Sequence, residues 1–318
     1  MKRRTFLAST LLATASLGWI AAPASAEERT KVTLLYTATA GFVPAFVAAD
    51  QGFFADQGVD VELQMASNGS VVVAGVVSGS AQVGLPTPTV VFQAIDNGIE
   101  MKAFASSNVF PDTTNAGVVV GKDSGIAKAT DLVGKKIGVP GIGGLLDVTM
   151  RKWLTTNGVD LNDVNIVEVG LPQTADAIRA GQVDAVASVD PFASRAVDSG
   201  VGTLIGSYFD VIPDGTVAGI FVTTADWADA HPEAITGMQL ALDDAVTYIK
   251  ANDQGARDSI AKYTTLPPPV VAGIPLPNMD PHLQPEKSFG FWQELSLEQG
   301  LISEPIDLDA FTIRYPGE

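Results

Sequence analysis

Val77-Ser78-Gly79-Ser80-Ala81-Gln82-Val83-Gly84-Leu85-Pro86-Thr87-Pro88 has a weaker counterpart further along the chain, in Ile178-Arg179-Ala180-Gly181-Gln182-Val183-Asp184 followed by Ser188-Val189-Asp190-Pro191. In both stretches a helix-like run closes on a small residue and a glycine. A short apolar strand follows, and a proline-bearing turn starts the next helix. In open α/β sheets, ligands sit outside the carboxyl ends of the strands. Two such units therefore predict two related lobes whose proline turns face a shared cleft. The competing reading is chance similarity between glycine-rich α/β turns.

The same alternation extends outward from these two units. Val59, Val61, Leu63 and Met65 alternate with polar residues, the period of a half-buried strand. Short β-rich runs at 31–36, 83–85 and 101–106 are separated by helix-like segments at 42–49, 70–77 and 88–97. A second series places strands at 117–120, 136–139, 164–169, 183–189 and 203–206, with helices at 145–157 and 174–180. Residues 218–223 read as one more strand. The remainder reads as helical at 232–251, 254–263 and 286–299, around a proline-rich stretch at 266–285 expected to be loop or short turns. This order predicts an α/β protein in which each lobe is a mixed, mostly parallel sheet flanked by helices.

Composition narrows the function. No cysteine is present, which excludes disulfides, thiol catalysis and thiolate metal sites, and suits an oxidising compartment. With 46% hydrophobic residues the chain can build a large core, and its length favours a division into lobes. The net charge is −17, or −20 without Lys2, Arg3 and Arg4. That acidity argues against nucleic-acid partners and against anionic lipid surfaces, and is otherwise read as solubility. Lys2 to Arg4, the apolar run from Leu7 to Ile20 and Ala24-Ser25-Ala26 are read as an export signal cleaved after Ala26, too short for a comfortable membrane span. Arg3-Arg4-Thr5-Phe6-Leu7 resembles a twin-arginine signal, and the general secretory route stays equally open. The expected product is a freely diffusing protein of a Gram-negative periplasm.

Several ordered segments carry a family resemblance: Ala48-Ala49-Asp50-Gln51-Gly52-Phe53-Phe54 with Gly58-Val59-Asp60-Val61; Val77 to Gly84; Ala129-Thr130-Asp131-Leu132-Val133-Gly134-Lys135-Lys136-Ile137-Gly138-Val139; and Ala180-Gly181-Gln182-Val183-Asp184-Ala185 with Asp190-Pro191-Phe192. In this order and spacing the chain resembles the periplasmic solute-binding proteins of nitrate/sulfonate/taurine and thiamine-pyrimidine-precursor ABC importers (the SsuA-like and NMT1-like proteins). The resemblance implies a two-lobed periplasmic-binding-protein fold of type II with two hinge crossings, near Ser106 to Pro111 and near Gly215 to Ile220. Lobe one would comprise residues 30–108 plus 218–318, and lobe two residues 109–217. It also implies hinge closure on a small ligand, delivery to an inner-membrane permease with its ATPase, a monomeric state and no cofactor.

Four loops are expected to line the cleft. In the first, Thr37 and Thr39 offer hydroxyls, Gly41 allows close backbone approach and Phe42 offers an apolar face; helix capping by Thr39 is the alternative. In the second, Thr87 is a ligand hydrogen-bond donor, a helix cap, or both. In the third, Gly141, Ile142, Gly143 and Gly144 expose backbone N–H groups at a helix start, an arrangement that favours negative charge. The resemblance implies that this loop holds the ligand's acidic group. The usual hydroxyl-bearing residues are missing from it, and Asp147 is placed to compete for the same donors. In the fourth, Asp190 accepts from the ligand or caps the helix that begins at Pro191, and Phe192 adds an apolar face. Asn108, Phe110 and Asp112, near the first crossing, are further candidates, with aromatic faces suited to a planar ligand.

No Lys or Arg falls in these four loops, so a neutral or heteroaromatic ligand competes with a sulfonate or nitrate. An enzymatic role is the alternative, since a pyrimidine synthase shares the fold. That chemistry uses His and Cys, whereas only His231 and His282 occur here and neither falls in a cleft loop. No nucleophile–base pair, metal-spaced cluster or phosphate loop is legible, so no catalytic or metal residue is expected. A ligand-loaded signalling module using the same cleft is a further alternative.

Overall fold

The computed structural model describes residues 29–111, 116–264 and 266–317. The expected leader and Asp112 lie outside the described residues. The chain begins with β1 (Thr30–Thr37), a 3-10 turn at Ala40–Phe42, α1 (Val43–Asp50), α2 (Phe53–Asp56), β2 (Val59–Ala66), α3 (Gly69–Val77), β3 (Val83–Leu85), α4 (Pro88–Asp96) and β4 (Met101–Val109). It continues with β5 (Ala116–Gly121), β6 (Lys136–Val139), α5 (Leu145–Thr156), β7 (Asn165–Glu168), α6 (Thr174–Arg179), β8 (Ala185–Val189), α7 (Phe192–Asp198) and β9 (Gly202–Ile205). It returns through β10 (Val217–Thr224), α8 (Ala225–Ala230), α9 (Pro232–Ala251), α10 (Asp253–Thr264), α11 (Pro268–Gly273), α12 (Pro285–Glu298) and α13 (Leu308–Phe311).

Two five-stranded sheets result, ordered β2-β1-β3-β10-β4 and β7-β6-β8-β5-β9. β1, β2 and β3 pair in parallel, as do β6, β7 and β8. β10 runs antiparallel to both β3 and β4, and β5 antiparallel to both β8 and β9. Each sheet therefore has four strands in one direction and a single reversed strand in fourth place. The reversed strand is the one the chain supplies on crossing from the other sheet. Below, the material around each sheet is called a lobe.

The repeated unit seen in the sequence is realised as this shared topology. Gly79 and Gly181 both end their helix with positive φ, +75° and +64°, a conformation glycine adopts without a Cβ penalty. The strands that follow, β3 and β8, occupy the same place in their sheets. α1 is apolar on all sides because it is enclosed: Val43 to Ala48 are all buried, with α9 and α10 packed over it. Gln239, 1% exposed on α9, donates to the carbonyl of Phe104 on β4 at 2.8 Å, which keeps a buried amide satisfied. β4 runs past the expected end at Ser106 to Val109 because Val109 still pairs with Val217. The short helices α2, α8 and α13 were not legible, since four to six residues are too few to show a helical period.

The two crossings lie side by side. The Phe110 N–H donates to the Thr216 carbonyl at 2.8 Å, and the Gly215 N–H to the Phe110 carbonyl at 2.7 Å. Trp292 of α12, fully buried, donates its Nε1–H to the Val217 carbonyl at 2.7 Å. A third segment runs along β4, accepting from the Ser106 and Val109 N–H groups through the Pro281 and Asn278 carbonyls at 2.9 Å each.

Two stability predictions follow from the second sheet. A Cβ at Gly117 would overlap the Gly206 carbonyl oxygen, which as backbone cannot move aside. Gly117→Ala is expected to lower the unfolding free energy by about 1–3 kcal/mol in urea titration. Tyr208 is fully buried with its hydroxyl on the Ser188 carbonyl at 2.6 Å, and burial pushes its phenol well above the ordinary 10.0. The stability tied to the neutral phenol is intact below about pH 10 and falls as pH rises from there, because only the unfolded chain ionises readily. Tyr208→Phe is expected to cost about 1 kcal/mol at neutral pH and to flatten the alkaline decline.

Candidate functional site

The carboxyl ends of β1, β3, β6 and β8 lead into the four loops singled out from the sequence, and the structure brings these loops together across the two lobes. The β1 loop turns tightly: Thr39 N–H donates to the Thr37 carbonyl at 2.8 Å, and Gly41 N–H to Thr39 Oγ1 at 3.3 Å. The capping reading of Thr39 is thus realised. Gly41 lies against Asn108, since a Cβ there would stand 3.2 Å from Asn108 Nδ2, and its carbonyl accepts from Ser107 Oγ at 2.7 Å. Phe42, 4% exposed, packs directly on Gly219 of β10, where a Cβ would overlap the ring. Gly41, Phe42, Asn108 and Gly219 therefore form one cluster where the first loop meets both crossings.

Thr87 behaves differently from Thr39. It precedes α4 in extended conformation, is half-buried, and makes no capping bond. Two residues on, the buried Thr89 reaches across the lobes, donating from Oγ1 to the Gly143 carbonyl at 2.9 Å, while Gln93 Nε2 approaches the same oxygen at 3.3 Å. This joins the β3 and β6 loops.

The glycine loop before α5 supplies its own acceptors. Gly143, at φ +75°, donates its N–H to Asp147 Oδ2 at 2.8 Å. The Ile142 N–H donates to Glu168 Oε1 at 3.2 Å, and the Gly144 N–H to the Gly141 carbonyl at 3.2 Å. Asp147 is 1% exposed, and its other oxygen accepts from Arg151 Nε at 2.7 Å. Ile142 itself is 50% exposed at the loop tip, and Gly141 faces Asn68. A second negative charge about 4 Å from such a carboxylate would meet roughly 4 kcal/mol of repulsion at an effective dielectric constant of 20, which Arg151 offsets only in part.

At the β8 loop, Asp190 Oδ1 accepts from Ser194 N–H at 3.0 Å and from Ser194 Oγ at 2.6 Å. α7 begins at Phe192 with Pro191 in the cap position, one residue later than expected, so Asp190 stands ahead of the cap and bonds the first turn through the Ser194 N–H. Phe192, 8% exposed, joins the apolar cluster that holds Phe42, and Leu171 packs against the same cluster. Leu145 and Val148 of α5 are buried in another first-lobe cluster, with Phe92 and Trp292. Each such side chain contributes about 1.5–3 kcal/mol relative to exposure. Gln299 Nε2 on the Val148 carbonyl at 2.7 Å and the Lys152–Glu298 ion pair at 2.6 Å add polar links between the lobes. Phe110 is 2% exposed and stands edge-on to Phe209 and Trp292, with ring centroids 5.1 and 6.4 Å away, so it packs the crossing.

The sequence reading missed Asn68, Ser107 and Gly219, which the structure places at these loops. Asn68 carried a signal, since it caps α3 by accepting from the Val71 N–H at 3.0 Å. Ser107 and Gly219 carried none, because they meet Gly41 and Phe42 only through the crossings. His231 stacks on Trp227, and His282 pairs with Asp243 and stacks on Tyr315. Neither belongs to the four loops. Among the described residues no group of three or more His, Asp or Glu side chains is arranged to hold a metal, and no helix is long and apolar enough to cross a membrane. Two surface hollows, of about 320 and 260 Å³, lie on the first lobe by Gly237 and by Gln82. The second is at the amino ends of β1 and β3, opposite the four loops.

Comparison with known proteins places this architecture. The NMT1-like family matches residues 25–265. A protein of Brucella abortus named as a binding protein is 27% identical over 266 residues, covering 83% of this chain and 79% of its own. The bicarbonate-binding protein CmpA of Synechococcus sp. is 25% identical over 247 residues, covering 64% of this chain and 52% of its own. Among solved structures, the alkanesulfonate-binding protein SsuA of Xanthomonas axonopodis pv. citri superposes with a TM-score of 0.76 at 19% identity, covering 90% of this chain and 99% of that one. The fold also hosts catalysis: the desulfurization enzyme DszB superposes with a TM-score of 0.67 at 15% identity, covering 90% and 97% of the two chains. The chain thus has the periplasmic-binding-protein fold, two mixed sheets flanked by helices.

The occupied glycine loop generates a prediction. Asp147→Ala leaves the buried Gly143 N–H and Arg151 without their carboxylate, and is expected to cost about 2–4 kcal/mol in urea unfolding. Asp147→Asn keeps an acceptor for Gly143 and is expected to cost about 1 kcal/mol.

Proposed function

Because this chain belongs to the NMT1-like family, we propose that it is the periplasmic solute-binding component of an ABC importer, trapping a small organic molecule between its lobes and passing it to a membrane permease with its ATPase. The observation that carries the reading is the convergence of four strand-end loops, two from each of two sheets with the same topology. Ligands of open α/β sheets gather at strand carboxyl ends, and a cleft divided between two bodies joined by paired crossings suits hinge closure. The names of the relatives support a binding role, and SsuA and CmpA set sulfonate and bicarbonate as the ligand chemistries of those proteins.

In this reading the lobes divide at about residues 109 and 217, and the protein works as a monomer exported by its leader, with residues 1–26 removed. Thr37, Thr87, Asn108 and Asp190 contact the solute as hydrogen-bonding groups, with Gly41 and the 141–144 loop allowing close backbone approach. Phe42 and Phe192 supply apolar walls. The chemistry is binding without covalent change.

Binding is tested with solute released from protein purified from its own host, titrated back by calorimetry, alongside uptake by a strain lacking the gene. Saturable one-to-one binding with an uptake defect is the expected outcome. Conversion of the solute to a new product by the purified protein would overturn the reading. Thr87→Val is expected to weaken binding about tenfold, the worth of one hydrogen bond, while unfolding stability changes by less than about 0.5 kcal/mol, because the hydroxyl makes no capping bond.

A further inference from the structure

The charge of the solute can be argued from the same loops, and the argument rests on the binding-protein reading above. An oxyanion held at a helix start needs backbone N–H groups that no other acceptor has taken. Ahead of α5 three of the four N–H groups of residues 141–144 are already in use: Ile142 N–H on Glu168 at 3.2 Å, Gly143 N–H on Asp147 at 2.8 Å and Gly144 N–H on the Gly141 carbonyl at 3.2 Å. Two of those acceptors are carboxylates, and Asp147 is 1% exposed and fixed from its other side by Arg151. An arriving anion would have to displace a buried, paired carboxylate and stand beside it.

The remaining loops do not compensate. Residues 37–42, 86–89, 141–144 and 188–192 contain no Lys and no Arg. What these loops offer are hydroxyls, carbonyls and carboxylates, groups that accept hydrogen bonds and favour donors or positive charge. We propose that the cleft is selective for an organic solute bearing N–H or O–H donors and no anionic group, and that it excludes small oxyanions. Asp147 and Glu168 are the residues that set this preference, by occupying the place an oxyanion would take.

The test uses the mature chain, unfolded and refolded to strip retained solute, then titrated calorimetrically with sodium nitrate, bicarbonate and methanesulfonate. No binding with Kd below ~1 mM is expected, and a tighter Kd for any of the three would overturn the inference while leaving the binding-protein reading intact. In a native mass spectrum of protein from its own host, a retained amine or uncharged solute supports the inference, and a retained sulfonate, carboxylate or phosphate contradicts it. Absence of any retained solute, together with no uptake defect, would remove the binding-protein reading and this inference with it. Glu168→Ala, at an exposed position, and the double variant Asp147→Ala/Glu168→Ala free one and two loop donors. Each of these, folded by circular dichroism, is expected to bind methanesulfonate tenfold or more tightly than the wild type. Unchanged affinity in a folded Glu168→Ala chain would contradict the role given to these carboxylates.

Discussion

The two crossings are hydrogen-bonded to each other, Phe110 N–H to the Thr216 carbonyl and Gly215 N–H to the Phe110 carbonyl, and the rest of the arrangement depends on that pairing. It fixes where the chain leaves one sheet and enters the other. Each sheet then receives its reversed strand from the crossing, β5 in one and β10 in the other, so neither sheet is completed by local sequence alone. Such non-local pairing is costly in loop-closure entropy. Burial of Phe110 against Phe209 and Trp292, and the Trp292 bond to Val217, offset that cost at the crossing itself.

From this constraint the geometry of the site follows. With both sheets anchored at the crossings, the carboxyl ends of their parallel strands meet, and Thr89 reaches Gly143 while Phe192 joins the cluster of Phe42. The electrostatics are a separate matter of residue choice. A glycine-rich helix start would ordinarily invite an anion, yet here Glu168 and Asp147 take two of its donors, the Ile142 and Gly143 N–H groups, within the chain. The fold is shared with the solved sulfonate-binding protein SsuA, and a shared fold leaves the chemistry of the site to the residues each chain places there.

The fold was legible because its signals are local. The alternation of Val59 to Met65, the closing glycines Gly79 and Gly181, and the proline turns at Pro88 and Pro191 each act within a few residues, and the recurrence of that pattern foreshadowed two sheets of one topology. The four loops were legible for the same reason, since they follow strands. Competition from Asp147 for the glycine donors was also readable, as it lies one turn away. What could not be read were contacts set by distant segments: Glu168 on Ile142, Asn108 beside Gly41, Gly219 under Phe42, and the burial of Leu145 and Val148 in a cluster of the other lobe. Phe110 looked available as an aromatic face because nothing nearby in sequence announces Phe209 or Trp292 as its neighbours.

The central claim, that loops from both lobes close on one small solute, is tested most directly by backbone hydrogen exchange with and without the solute released from the natively purified protein. Slowed exchange in residues 37–42, 86–89, 141–144 and 188–192 together, with the outer helices α9 and α10 unchanged, is the predicted result. Protection confined to one lobe, or centred on residues outside these loops, would contradict it.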